Sequence, residues 1–137
     1  PILLDAFAQV VDDAGGAASC VVGGKSMGGR VASMLLAQSG VRGAVSLGYP
    51  FHPPGKADKV RSDHWPDIDS PWLIVQGTRD PFGKPQEVAH YNLPASCDIR
   101  WLEDGDHDFK PRKASGLTQI QHWRQAADWV AEFILGV

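Results

Sequence analysis

Apolar positions along this chain fall into alternating helical and strand-like runs. Over residues 2–14, Leu3, Phe7, Val10 and Ala14 recur at spacings of four, three and four, which predicts an amphipathic helix stopped by Gly15-Gly16. Ser19-Cys20-Val21-Val22 reads as a short buried strand, and Val31, Met34, Leu35 and Gln38 then mark a helix over about 28–39 that ends at Gly40. Gly43-Ala44-Val45-Ser46-Leu47-Gly48-Tyr49, Trp72-Leu73-Ile74-Val75-Gln76-Gly77 and Ile99-Arg100-Trp101-Leu102 are three further strands. The near-continuous apolar character of the second suits a sheet covered on both faces. A short helix is expected over 84–91. A long one is expected over 118–135, its inner stripe formed by Ile120, Trp123, Ala127, Val130 and Ile134 and its end by Gly136. This alternation predicts a single α/β domain over 1–137, a parallel sheet with helices on both faces. Ligands of such sheets bind outside the carboxyl ends of the strands, so the residues that follow each strand matter most.

Residues 50–71 break the rhythm. Pro50, Pro53, Pro54, Pro66 and Pro71 leave a loop with one helical turn at most, expected to lie over the site. His52 follows the second strand and Trp65 sits in this loop, so both are candidate pocket residues. The other tryptophans read as core, and His64, His90 and His122 as solvated.

With 137 residues, 43% of them hydrophobic, the chain can bury one sizeable core. A net charge of −3 gives no electrostatic case for nucleic acid or an anionic membrane. No apolar run approaches the roughly 20 residues that span a bilayer. Cys20 and Cys97 lack metal-like spacing, and Cys20, in the first strand, reads as a reduced, buried thiol; a cytoplasmic origin fits. No signal peptide is visible, and the start at Pro1 rather than Met leaves room for a segment removed upstream.

The chemistry centres on Gly24-Lys25-Ser26-Met27-Gly28-Gly29, between the first strand and the second helix. Gly24-x-Ser26-x-Gly28 fits a nucleophile elbow, in which a sharp strand-to-helix turn presents a serine hydroxyl. Glycines two residues either side relieve crowding at such a turn. A phosphate loop is the competing reading of Gly24-Lys25-Ser26, but position 19 holds serine where that motif needs glycine. Thr78-Arg79-Asp80-Pro81-Phe82-Gly83 follows the third strand, and Glu103-Asp104-Gly105-Asp106-His107-Asp108-Phe109 the fourth. Serine, acid and histidine thus appear in that order, each just past a strand. Blander readings stand beside these: Ser26 as a small residue in a tight turn, Asp80 as a turn residue before Pro81, and His107 as an exposed loop histidine. Asp104, Asp106 and Asp108 are rival acids, too close to His107 in sequence to orient it easily. Lys25 and Arg30 read as surface or salt-bridge residues.

Gly24-Lys25-Ser26-Met27-Gly28-Gly29, Gln76-Gly77-Thr78-Arg79-Asp80-Pro81-Phe82-Gly83 and Gly105-Asp106-His107-Asp108-Phe109-Lys110-Pro111 resemble the α/β-hydrolase superfamily, above all its small, cap-less, dienelactone-hydrolase-like members. Tyr49-Pro50-Phe51-His52-Pro53-Pro54-Gly55-Lys56 is similar to a segment of a predicted-hydrolase branch that includes testis-expressed and chromatin-complex relatives. The resemblance implies Ser26 as nucleophile, Asp80 as acid, His107 as base and the Met27 backbone N–H as an oxyanion donor. It implies a carboxylic ester or related acyl substrate and neither metal nor cofactor. Members of the fold place several strands before the elbow strand, where this chain has one helix. It therefore looks like the C-terminal portion of a hydrolase. The loop that gives the second oxyanion donor has no counterpart, and Cys20-Val21-Val22 should form an apolar sheet edge. That edge is expected to be covered by a second copy, an upstream fragment or a rearranged N-terminal segment. The alternative function is a non-catalytic, hydrolase-like protein-interaction module.

Overall fold

A computed structural model describes residues 2–137. Four helices and four strands follow one another as α1 (Ile2–Asp13), β1 (Val21–Lys25), α2 (Met27–Gln38), β2 (Gly43–Leu47), β3 (Trp72–Gly77), α3 (Pro85–Val88), β4 (Cys97–Leu102) and α4 (Gln119–Gly136). The strands form one sheet in the order β1-β2-β3-β4, every pair parallel. Val21 lies opposite Gly43, Ala44 opposite Trp72, and Trp72 opposite Cys97.

Side chains alternate between the faces, as the pleat requires. Ala44, Trp72 and Ile74 point to the side covered by α1 and α2, where Val11, Ala32, Leu35 and Leu36 complete the larger core. Val45, Leu73 and Val75 point to the other side, where Ala126, Trp129, Val130 and Phe133 of α4 meet them. The expected two-faced α/β sheet is therefore present. Because all strands run parallel, their carboxyl ends lie at one edge of the layer, and Ser26, Gly48, Thr78 and Glu103 all follow at that edge.

The first strand begins later than its apolar run suggests. Ala17–Ser19 form a 3-10 turn that Cys20 N–H closes on Ala17 O, so pairing starts at Val21 and continues through Gly23 and Gly24 to Lys25. Glycine carries no strand signal, yet these two glycines pair with Val45 and Ser46. The helix expected over 84–91 contracts to one turn, Pro85–Val88.

The expected inner stripe of α4 holds only in part: Val130 packs against the sheet, but Ala127 is exposed. Ile120, Trp123 and Ile134 are about half exposed, while His122 and Ala126 are buried. His122 is not solvated: its Nε2 lies 2.7 Å from Glu103 O.

Segment 50–71 folds onto the α2 side of the sheet rather than over Ser26. Trp65 is 4% exposed and packs with Tyr49, Phe51, Trp72 and Tyr91 at ring-centroid distances of 6.0–6.4 Å. Its Nε1 donates to Tyr49 Oη at 3.3 Å. Trp65 is thus a core residue, and the pocket it borders, with Val60, Pro66 and Tyr91, does not include Ser26 or His107, because the ring turned inward onto the aromatic cluster. His64 Nε2 lies 2.8 Å from Ser33 Oγ on α2, so this histidine is tied down as well.

Candidate active site

Gly24 and Gly29 let the chain reverse between β1 and α2. A Cβ on Gly24 would lie 2.6 Å from the Gly28 carbonyl carbon, and one on Gly29 would lie 2.8 Å from Gly24 O and 3.0 Å from Ser46 Cα. Gly28 differs, since a Cβ there would meet nothing within 4 Å. The expected symmetry of the two flanking glycines fails: Gly28 supplies the backbone that Gly24 must approach. Ser26, at the apex, holds φ 52° and ψ −118°, a left-handed conformation rare for any side-chain-bearing residue. Ser26 N–H donates to Leu47 O at 2.8 Å, which fixes the turn to β2. Arg30 N–H donates to Ser26 O at 3.1 Å and starts α2.

The hydroxyl so presented meets His107. Ser26 Oγ lies 2.9 Å from His107 Nε2, and His107 Nδ1 lies 2.8 Å from Asp80 Oδ2. With its proton on Nδ1 donated to Asp80, the neutral imidazole accepts the serine hydroxyl at Nε2. Three residues separated by up to 81 positions are thus in one hydrogen-bonded row. Asp80 is fully buried, and its second oxygen accepts Phe82 N–H at 2.9 Å. Asp104, Asp106 and Asp108 do not touch the ring nitrogens of His107 by hydrogen bond. Each is committed to Arg112, to backbone N–H groups or to Lys25.

Several neighbours of this row had no role assigned from the sequence, although Gln76 and Phe82 lie in a segment that resembles the family. Phe82 lies against the His107 ring, centroids 4.4 Å apart and planes 33° apart. Gly48, at φ 65°, lets the backbone pass His107, because a Cβ there would sit 3.1 Å from His107 O and 3.2 Å from Cε1. Its place just past β2 was the available clue. Gln76, fully buried, accepts Tyr49 N–H at 2.7 Å and donates to Tyr49 O at 3.1 Å and Gly83 O at 3.3 Å, joining the turns after β2 and β3.

The His107 loop is clamped at its base. Asp104 accepts Arg112 N–H at 2.8 Å and the Arg112 guanidinium at 2.6 Å, and Thr78 Oγ1 accepts Asp104 N–H at 2.8 Å. The Arg112 hydrogen bonds, side chain first and backbone second, pull the Asp104 carboxyl down to about 2. Asp106 Oδ1 accepts Asp108 N–H and Lys110 N–H at 2.8 and 2.9 Å, which curls the loop around His107. Lys25 and Asp108, the residues beside Ser26 and His107, form an ion pair at 2.6 Å.

Met27 is the first residue of α2 and follows Ser26 directly in the chain, so its N–H has no acceptor within the helix. His52 lies outside the row. It is 2% exposed and bonded to Pro53 O and Glu87, so it does not line a pocket at Ser26. An apolar groove of about 710 Å³ runs below the Lys25–Asp108 pair, lined by Leu47, Phe109, Trp123, Val130 and Ile134. Among the described residues no cluster of three His, Cys, Asp or Glu side chains could hold a metal, and no helix is long and apolar enough to cross a membrane.

Residues 1–135 match the family described as Alpha/beta hydrolase domain. A putative alpha/beta hydrolase of unknown function from Agrobacterium tumefaciens shares 18% identity, with a TM-score of 0.61 over 98% of this chain and 58% of its own. An alpha-beta serine hydrolase homologue from Coxiella burnetii shares 21% identity, with a TM-score of 0.53 over 76% of this chain and 48% of its own. A puromycin-hydrolyzing peptidase from Mycobacterium tuberculosis shares 19%, with a TM-score of 0.62 over 94% and 24%. The chain spans about half the length of the first two of these structures, 58% and 48%.

Proposed function

The chain belongs to the alpha/beta hydrolase family, and from that premise we propose that it is a serine hydrolase acting on a carboxylic ester or a related acyl substrate. The observation that carries the reading is the continuous row Ser26 Oγ–His107 Nε2, His107 Nδ1–Asp80 Oδ2, at 2.9 and 2.8 Å. Ser26 Oγ attacks the acyl carbon while His107 Nε2 takes its proton, and the carbonyl π pair moves onto oxygen. Asp80, buried and uncontested by solvent, holds the imidazole in the needed tautomer and stabilises the imidazolium that forms. The Met27 N–H, backed by the N-terminal end of α2, faces the developing oxyanion. Collapse expels the alcohol with the proton from His107. A water, deprotonated by the same histidine, then releases the acid and restores Ser26. The strained Ser26 backbone supports the reading, since such conformations gather at functional sites.

A second reading rests on a different observation. The outer side of β1 is unpaired among the described residues, with exposed apolar side chains on both flanks. That surface suits a protein-interaction module of hydrolase ancestry.

One experiment separates the two. The purified protein is treated with a fluorophosphonate probe and the adduct mapped by mass spectrometry. The hydrolase reading expects labelling at Ser26, abolished in Ser26→Ala and strongly slowed in His107→Ala. A folded sample that takes no label overturns it in favour of the interaction module. A panel of ester, thioester and lactone substrates on the labelled protein then defines the acyl class.

A further inference from the structure

His52 is a buried histidine outside the Ser26–His107–Asp80 row, and both of its ring nitrogens have partners. Nδ1 lies 2.8 Å from Pro53 O, and Nε2 lies 3.0 Å from Glu87 Oε2. The other oxygen of Glu87 accepts Lys84 N–H at 3.0 Å at the start of α3. His52 N–H itself donates to Phe82 O at 3.1 Å. The segment between these anchors is the turn that carries Asp80. Within it Phe82 N–H holds Asp80 Oδ1 and the Phe82 ring lies against His107, while Gly83 O accepts the buried Gln76. His52 therefore grips both ends of Phe82–Lys84, one through its backbone and the other through its ring and Glu87. The Glu87 carboxyl lies lower than usual: burial pushes it up, and the Lys84 N–H and His52 together outweigh that.

We propose that His52, acting through Glu87, is a positioning residue for the acid of the site, holding the turn so that Asp80 presents Oδ2 to His107. The proposal deepens the serine-hydrolase reading and rests on it for its kinetic consequence. The hydrogen-bond consequence stands apart from turnover. Removing the ring frees the Lys84 end of the turn and leaves the His52 backbone contact in place. Asp80 then gains freedom relative to His107 without the sheet coming apart. A displacement of about 1 Å at a reacting centre can cost on the order of a hundredfold in rate.

The test uses His52→Ala, Glu87→Ala and Glu87→Gln in the full chain, with folding checked by thermal melts. Two readouts are taken: the limiting fluorophosphonate labelling rate at saturating probe, and the NMR signal of the proton shared by Asp80 and His107 Nδ1. Both alanine variants should lose roughly ten- to a hundredfold in limiting rate, with little change in half-saturating probe concentration, and shift or broaden the shared-proton signal. Glu87→Gln should restore both readouts. Its amide oxygen still accepts Lys84 N–H, and its amide N–H can donate to Nε2 of the neutral imidazole. If His52→Ala does not fold, Glu87→Ala decides, since Glu87 is a quarter exposed. Alanine variants that label within twofold of the wild type with an unmoved proton signal overturn the proposal, as does a Glu87→Gln variant no better than Glu87→Ala. Wild-type protein that takes no label overturns the hydrolase reading instead, and the proton signal still decides the role of His52.

Discussion

Ser26 pays for its exposure with a backbone at φ 52°, a conformation that costs on the order of 1–3 kcal/mol and persists only when its surroundings dictate it. The dictating contacts are backbone to backbone: Ser26 N–H to Leu47 O, and the close pass of Gly24 beneath Gly28. The two glycines of the motif should therefore respond differently to the same substitution. Gly24→Ala drives a methyl group to 2.6 Å from a carbonyl carbon that has no freedom to retreat, so overpacking of about 1–3 kcal/mol is expected. Gly28→Ala meets open space within a helix, where alanine is favoured by up to about 1 kcal/mol. Urea melts of both variants check this, and a Gly28→Ala protein as unstable as Gly24→Ala would show that the turn is crowded on both sides. At this scale the sequence was most informative, because Ser26, Asp80 and His107 announce themselves by residue type and by their place after strands, and Gly24 by its spacing to Ser26. Gln76 and Phe82 were visible only as members of a segment that resembles the family, and Gly48 had no assigned role. A glycine, a phenylalanine and a glutamine have many uses, and only the folded chain shows that these three touch His107 or the acid turn. Asp80→Asn tests the acid at the same scale. The amide cannot enforce the Nδ1–H tautomer, so Ser26 labelling should fall by about 10⁴, with folding retained.

The loop between β4 and α4 shows how an element is built around one functional side chain. Asp104, at φ 61°, turns the chain away from β4, and Arg112 returns to it eight residues later through its backbone and guanidinium. His107 sits between these clamped ends. The pair also has a pH signature. The Asp104 carboxyl stands at about 2 in the folded chain against 3.8 when free, so folding favours its ionised form. Its contribution to stability is full above roughly pH 4 and is lost as pH falls through about 2. The melting-temperature gap between wild type and Arg112→Gln should accordingly be constant from neutrality to about pH 4 and shrink below it. A gap that widens on acidification would assign the effect to another group. Elements were legible where periodicity and packing agree, as in α1, α2 and the central strands. They were less so where an apolar surface is wider than its partner. On α4 the apolar arc includes Ile120, Trp123 and Ile134, yet the sheet meets Val130 of that arc together with the neighbouring Ala126, Trp129 and Phe133. Periodicity reports the width of an apolar face, and the partner decides which part of it is buried. Segment 50–71 is the irregular stretch with one turn, Trp65–Asp67, that its prolines foretell, but its placement was misread, because nothing in the prolines says that Trp65 and Ile68 belong to the core.

For the whole molecule, the sheet has two edges of different character. β4 carries the Asp98–Arg100 ion pair, at 2.9 Å, on its α4 face. β1 ends the sheet with Val21, Gly23 and Lys25 and has apolar grooves on both flanks, about 450 Å³ beside α1 and 710 Å³ beside α4. The N-terminal segment does not cover this edge, because Ile2–Asp13 is a helix on the α2 face. The backbone directions follow from the pairing. Cys20 O accepts from Arg42 and Ser26 N–H donates to Leu47, so these even-numbered positions face β2. Alternation then turns the N–H and C=O groups of Val21, Gly23 and Lys25 outward. An unpaired strand flanked by Leu3, Val10, Trp123 and Ile134, all exposed, is a template for another strand. The isolated chain should therefore self-associate through β1. Amide exchange measured by NMR reads this position by position. Val22 and Gly24 should be protected at every protein concentration, because β2 holds them. Val21, Gly23 and Lys25 should be protected in concentrated samples and lose that protection on dilution, in step with a fall in sedimentation coefficient. Free exchange at those three positions in a protein that sediments as a monomer at all concentrations would mean that the apolar flanks do not draw a second copy. Protection that dilution leaves unchanged would likewise exclude pairing between copies.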